Sequence, residues 1–321
     1  MTAHTEALTT TELVRLSIEG RRFSPVNALV ALSLLFTLLT SVVILVTLLA
    51  DTITTALPVF QARGLSFVTD SLSPTAASAG IWQGIMGSLA LTGFVIAVAF
   101  PLGVAAAVYL EEYAMDNGVT RFINANIRNL AGVPSIVYGI LGLFLFVEIV
   151  MRGVFGAEAG IAGRNVIAGG LTLAVLVLPI MIITTSEALR AVPSGLREAS
   201  LAVGATRWET IRHHVLPVAF PAILTGSVLT IARAFGESAP LLLAGAQLSL
   251  FFSVANDASF VDLVASQPYT ALPIIIFNFA RQPQAEFVAL TAAAIVVLLV
   301  MLLTVNAAAV LARDRFERRY R

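Results

Sequence analysis

Arg233 and Glu237 stand four residues apart inside LPVAFPAILTGSVLTIARAFGESAPLLLAG, a run free of any other charge. On a helix that spacing puts both side chains on one face, where guanidinium and carboxylate neutralise each other. An arginine at mid-depth of a bilayer costs at least about 2.5 to 3.5 kcal/mol, so the pair must turn away from lipid. Gly226 and Thr230 extend the same face, a stripe of small and polar residues expected to point into a bundle or a wet cavity. Counting about 1.5 Å per residue from Pro221, Arg233 lies roughly 18 Å along the helix, past the midpoint of a core about 30 Å thick. Two roles fit. One is an internal ion pair that only fixes packing. In the other, Arg233 offers its planar donor fork to an oxyanion in transit, and Glu237 compensates its charge so that the ion is released.

Upstream lies LREASLAVGATRWETIRHHVLP, from Leu196 to Pro217, which reads as two short helices. Ser194 after Pro193 is placed to cap the first, and Leu196, Ala199, Ala202 and Val203 give it a small apolar face. Gly204 suits the left-handed residue that ends it. Thr206 and Glu209 are spaced as a capping box for the second helix, in which Trp208, Ile211 and Val215 are expected on one side and Leu216 with Pro217 closes the element. Such a pair fits a groove on a partner, or lies on the membrane surface with its arginines among lipid headgroups. A third stretch, NLAGVPSIVYGILGLFLF from Asn129 to Phe146, carries Gly132, Pro134, Ser135 and Gly139, which break or tighten a helix and release backbone groups toward a cavity. Gly139 and Gly142 equally suit close helix packing.

The elements that position these residues belong in lipid. The chain is 58% hydrophobic and 12% charged, against roughly 45 to 50% apolar residues in a soluble domain. Six stretches suit the ~20 apolar residues of a spanning helix: Ala28 to Ala50, Gly84 to Tyr109, Ile127 to Val150, Val166 to Thr185, Pro217 to Gly245 and Phe287 to Leu311. The first is longer than a secretion signal and is expected to be retained. Of nineteen arginines, fourteen fall on the side of the termini and of the Leu196–Pro217 connector, and four on the other, so the positive-inside rule puts both termini in the cytoplasm. The expected organisation is a cytoplasmic segment over residues 1–27, a first span and external loop over 28–83, a core over 84–311 with the helix pair at 194–215, and a basic tail over 312–321. Within the external segment from Gln247 to Glu286, the apolar piece Tyr269 to Ala280 is too short to span and is expected at the interface or re-entering the protein. No internal repeat or soluble domain is visible.

Composition also excludes. The charges balance and no basic patch is interleaved with aromatics, so nucleic acid is not an expected partner. There are no cysteines, and His4, His213 and His214 have no carboxylate cluster beside them, which leaves no enzyme-like or metal-ligating constellation. There is no lysine, hence no Walker loop in this chain, and ATP must be bound elsewhere.

The connector resembles the coupling loop of ABC importer permeases, whose pattern is Glu-Ala-Ala, then Gly, then a closing Ile-x-Leu-Pro. Here Glu198, Ala199, Ser200 and Gly204 match, followed by Ala205 and Trp208, and His214-Val215-Leu216-Pro217 closes it; Ser200 replaces the second alanine and His214 the usual isoleucine. NLAGVPSIVYG, ALRAVPSGLREASLAVGATRWETI and ARAFGESAPLLLAG resemble, from about Gly84 onward, the permeases of the bacterial phosphate-specific transport system, closer to its A-type than its C-type subunit. Glu111 and Glu112 fit that family too, or are simply solvated. The resemblance implies an all-α, six-span type I importer permease of the bacterial inner membrane. Glu198 to Leu216 would insert into a cleft on a separate ATPase, and Arg233, Glu237, Thr230 and Ser135 would line the substrate path. The implied partners are a PstC-like permease subunit, two PstB-like ATPases and a PstS-like phosphate-binding protein; this chain binds no cofactor, ATP and Mg residing in the ATPase. Permeases for sulfate, molybdate or phosphonate remain alternatives. A secondary transporter would show repeats with broken helices in both halves and leave the connector without a purpose, and a channel would need pore-lining rings from several chains.

Overall fold

Lipid-facing backbone must satisfy its own hydrogen bonds, and among the described residues of the computed structural model every regular element is helical. These residues are 25–154, 164–246 and 268–320. Most of the expected segment 1–27, the part of the Gln247–Glu286 segment up to residue 267, and residue 321 of the basic tail lie outside them.

The chain divides into two units, residues 1–52 and 53–321, and helix α1 (Pro25–Arg63) carries the division. Within the first unit, Leu29, Phe36 and Leu45 are exposed. The hydroxyls of Ser33, Thr37 and Thr47 donate to the carbonyls of Val30, Ser33 and Val43, so the helix leaves these groups satisfied without water.

The second unit is built on α3 (Trp82–Val108) and α6 (Val166–Arg190), with the short α2 (Ser66–Thr69) before them. Gly103 on α3 and Gly170 on α6 let the pair approach: a Cβ on either would strike Met181 or the ring of Phe94. Leu91, Val95, Leu173 and Val177 fill the core between them. α6 starts on Asn165, whose side chain accepts from the amide of Ala168 at 3.0 Å.

The expected third span is two elements. α4 (Gly118–Ala131) and α5 (Ser135–Leu141, continued as a π-helical stretch over Gly142–Val154) meet at a bend of 103°. Pro134 supplies no amide and holds extended backbone (φ −55°, ψ 136°), and the helix stops at Ala131. Residues 127–131 therefore belong to a separate, strongly amphipathic helix. Tyr138 ties the corner by donating its hydroxyl to the Leu130 carbonyl at 2.8 Å.

The expected fifth span also ends early. α9 (Leu216–Gly236) stops, and a short α10 (Ala239–Leu243) follows. A helix continued through Pro240 would press its ring on the carbonyl of Gly236. Gly139 on α5 seats this piece, since a Cβ there would lie 2.7 Å from Pro240 Cα. The apolar piece after Tyr269 forms α11 (Leu272–Ala280), buried in the protein: Leu272, Ile274 and Ile275 are inaccessible, and the Leu272 amide donates to Ser88 Oγ at 2.8 Å. Gly84 and Gly87 on α3 leave room for it. α12 (Glu286–Tyr320) completes the unit. Among the described residues five helices are long and apolar enough to cross a membrane, or six with the bent pair taken as one span.

Candidate functional site

Two places in the second unit carry the residues singled out by sequence. The first is the end of α9. Arg233 and Glu237 are paired at 3.4 Å (Nε to Oε1), with side-chain exposures of 48% and 18%. They do not share a helix face as expected, because Glu237 stands just past the last helical residue with extended backbone (φ −76°, ψ 123°). The expected stripe is also divided. Gly226 packs against α6, where a Cβ would come within 2.6 Å of Thr184 Cβ. Thr230 is buried and donates to the Gly226 carbonyl at 2.9 Å, whereas Arg233 reaches the surface of this chain. A buried hydroxyl satisfied by its own helix has no free donor to offer a solute. Ser135 opens α5, half-buried, and no contact brings it to Arg233 among the described residues.

The second place is the connector between α6 and α9. It folds as α7 (Ser194–Ala202), α8 (Arg207–Thr210) and a π turn over Ile211–Val215. Gly204 has φ +90°, the left-handed residue expected to end the first helix. The capping box is complete: the Thr206 amide donates to Glu209 Oε2 at 2.8 Å and the Glu209 amide to Thr206 Oγ1 at 3.3 Å. Ser200 and Thr210 join the two helices through a buried hydroxyl pair at 3.0 Å.

Three local expectations need correction. Ser194 is the first helical residue rather than the cap, a place taken by Pro193 with no side-chain bond. Leu216 and Pro217 do not close the connector but open α9, so that Arg207–Gly236 is one helical run of 30 residues. The wider π turn gives the Pro217 ring room that an α turn would deny it. Trp208, 52% exposed, does not share a side with Ile211 and Val215, which are buried. Leu196 is half-buried, but Ala199, Ala202 and Val203 face outward with Leu201, Glu198 and Gly204, while Ala205 is half-buried. The outward face of α7 is therefore apolar with one carboxylate, a surface suited to a protein groove.

Sequence reasoning left Glu111 and Glu112 undecided, and the structure pairs both. They sit in a π-helical turn, Tyr109–Tyr113, at the end of α3, closed by the Ala114 amide donating to the Tyr109 carbonyl at 2.9 Å. Arg190 at the end of α6 donates to Glu111 through Nε at 2.7 Å and Nη2 at 2.8 Å. Arg197 on α7 donates to Glu112 Oε1 at 2.7 Å through Nη2, and also to the carbonyls of Val192 and Leu189, each at 2.8 Å. Arg207 reaches the backbone carbonyl of Glu112 at 3.3 Å. The two carboxylates are only 12% and 10% exposed. The signal in sequence was a double acid at the end of one span opposite two arginines bracketing the start of the connector; only the fold shows that they meet.

Among the described residues no group of three or more His, Asp or Glu is placed to hold a metal.

The fold is that of solved ABC importer permeases. One chain of the MetNI methionine transporter aligns with a TM-score of 0.52 at 19% identity, covering 74% of this chain and 94% of that one. A bacterial alginate transporter in complex with its pentasaccharide-bound periplasmic protein aligns with a TM-score of 0.57 at 17% identity, covering 86% and 92%. Helical bundle and connector together define an inner-membrane permease. The chain belongs to the binding-protein-dependent transport system inner membrane component family, whose model matches residues 99–321. Among its relatives are the probable ABC transporter permease protein YqgI of Bacillus subtilis, 36% identical over 75% of this chain and 81% of that one. The phosphate transport system permease proteins PstA of Yersinia pestis and PstA 1 of Mycobacterium tuberculosis are each 36% identical over 77% of this chain, and 75% and 74% of their own lengths.

Proposed function

We propose that this chain is the transmembrane subunit of an ATP-driven importer of inorganic phosphate. The observation that carries the reading is the half-exposed guanidinium of Arg233 at the broken end of a spanning helix, held by Glu237 at 3.4 Å. A planar fork with free donors suits a tetrahedral oxyanion, and a carboxylate partner keeps binding weak enough for release. The names of the PstA relatives favour phosphate over other oxyanions. Specificity is delegated to an external PstS-like binding protein, and Arg233 with Glu237 acts on whatever that protein delivers.

The arginine asymmetry puts the connector in the cytoplasm. Glu198, Ala199, Ser200, Gly204, Ala205, Trp208, Leu216 and Pro217 belong to the element that meets a PstB-like ATPase, with the outward side chains of Leu201, Val203 and Trp208 seated in its cleft. A PstC-like subunit completes the permease, two ATPase copies bind ATP and Mg, and this chain performs no hydrolysis itself. ATP binding closes the ATPases and opens the permease outward; hydrolysis resets it. Radiolabelled phosphate uptake is measured in cells lacking only this subunit, with and without the chain restored. Uptake that returns with the chain and is not competed by sulfate or molybdate supports the reading. Uptake of sulfate or molybdate instead reassigns the substrate.

A further inference from the structure

We propose that Glu111 and Glu112 are positioning residues that clamp the end of α6 and the connector leaving it to the end of α3, Glu111 through Arg190 and Glu112 through Arg197 and Arg207, so that a displacement of α7 and α8 is carried into α3 as well as into α9. The inference rests on the reading of the connector as the ATPase contact. Three arginines from different parts of the chain converge on one π turn: Arg190 ends α6, Arg197 lies on α7 and Arg207 opens α8. Wider π turns are rare and recur at functional sites, and here the turn aims two consecutive carboxylates at arginines on separate elements. The carboxylates are nearly inaccessible, unlike Asp116, whose bond to Arg121 at 2.9 Å is between two exposed side chains. Two-pronged pairs of this kind fix orientation as well as distance. A connector joined to the bundle only through its ends would move α6 and α9 alone; this one is joined to α3 by charge.

The test uses the complete complex in proteoliposomes, with phosphate moved per ATP hydrolysed as the readout. In E111Q/E112Q the ATPase still co-purifies and hydrolyses ATP, but phosphate per ATP falls at least about fivefold, the low end of ordinary coupling between sites. The swap Glu111→Arg with Arg190→Glu restores most of the ratio lost by E111Q alone, because both donors of Arg190 go to Glu111. D116N, which removes the exposed pair, leaves the ratio unchanged. A second measurement can overturn the clamp in the otherwise unaltered chain alone. With spin labels at Met115→Cys and Ser194→Cys, both exposed, the distance stays constant on nucleotide binding in the otherwise unaltered chain and changes in E112Q. An unchanged phosphate-to-ATP ratio in E111Q/E112Q, or a label distance that shifts with nucleotide in the otherwise unaltered chain, overturns the clamp while leaving the transport reading intact. Failure of the unaltered chain to retain an ATPase overturns both.

Discussion

At the scale of single residues, the two charged sites differ in what each arginine must do. Arg233 keeps nearly half of its side chain accessible, so its donors are available to a solute. Arg233→Lys keeps the charge and loses the fork; phosphate uptake falls about tenfold, the equivalent of one interaction of about 1.4 kcal/mol, while the complex assembles normally. Uptake at the original rate in that variant removes the fork from the mechanism. Glu237→Gln leaves the guanidinium uncompensated, and transport slows at release, read as a lower maximal rate at unchanged half-saturation. Gly226 has a different task. A Cβ there presses on Thr184, so Gly226→Ala lowers the stability of the detergent-solubilised chain by about 1 to 3 kcal/mol, measured as a lower unfolding temperature. Sequence marked all three positions because charge in an apolar run and a glycine on a helix face are local signals. It put Gly226 and Thr230 on one face with Arg233, yet those two lie inside the bundle while Arg233 reaches the surface, because helical spacing relates residues to one another and does not say which neighbouring helix covers them.

At the scale of elements, the connector was legible from its capping residues, since Gly204 and the Thr206–Glu209 box act within a few residues of chain. Its two ends were not. Pro217 reads as a terminator, and only the π turn before it, which no propensity announces, turns it into the start of α9. The break at Pro134 was marked by the helix-breaking residues around it, although the span was still drawn through it from Ile127; that at Pro240 was hidden by a continuous apolar run, because hydropathy measures solvent preference and not backbone continuity. Gly204→Ala forces a side chain into left-handed backbone at a cost of about 1 to 2 kcal/mol. That cost falls on the connector alone: ATPase co-purification weakens while the helical content of the chain, measured by circular dichroism, stays the same. Equal retention of the ATPase would show that the turn tolerates another backbone path.

At the scale of the whole molecule, the absence of cysteine makes every introduced thiol unique. Ala77→Cys and Met115→Cys, both at exposed positions, therefore report sidedness directly. A membrane-impermeant maleimide labels Ala77→Cys in intact cells and Met115→Cys only after permeabilisation; the reverse result inverts the arginine-based orientation. The continuous helical run from Arg207 to Gly236 fixes the rotation of Arg233 relative to Trp208. Adding or removing one residue between them, for example an alanine after Ala219, turns one site by about 100° relative to the other without altering either. Such a chain should still engage its ATPase and still present an arginine, but aimed at the wrong wall, so that fuel is consumed and nothing crosses.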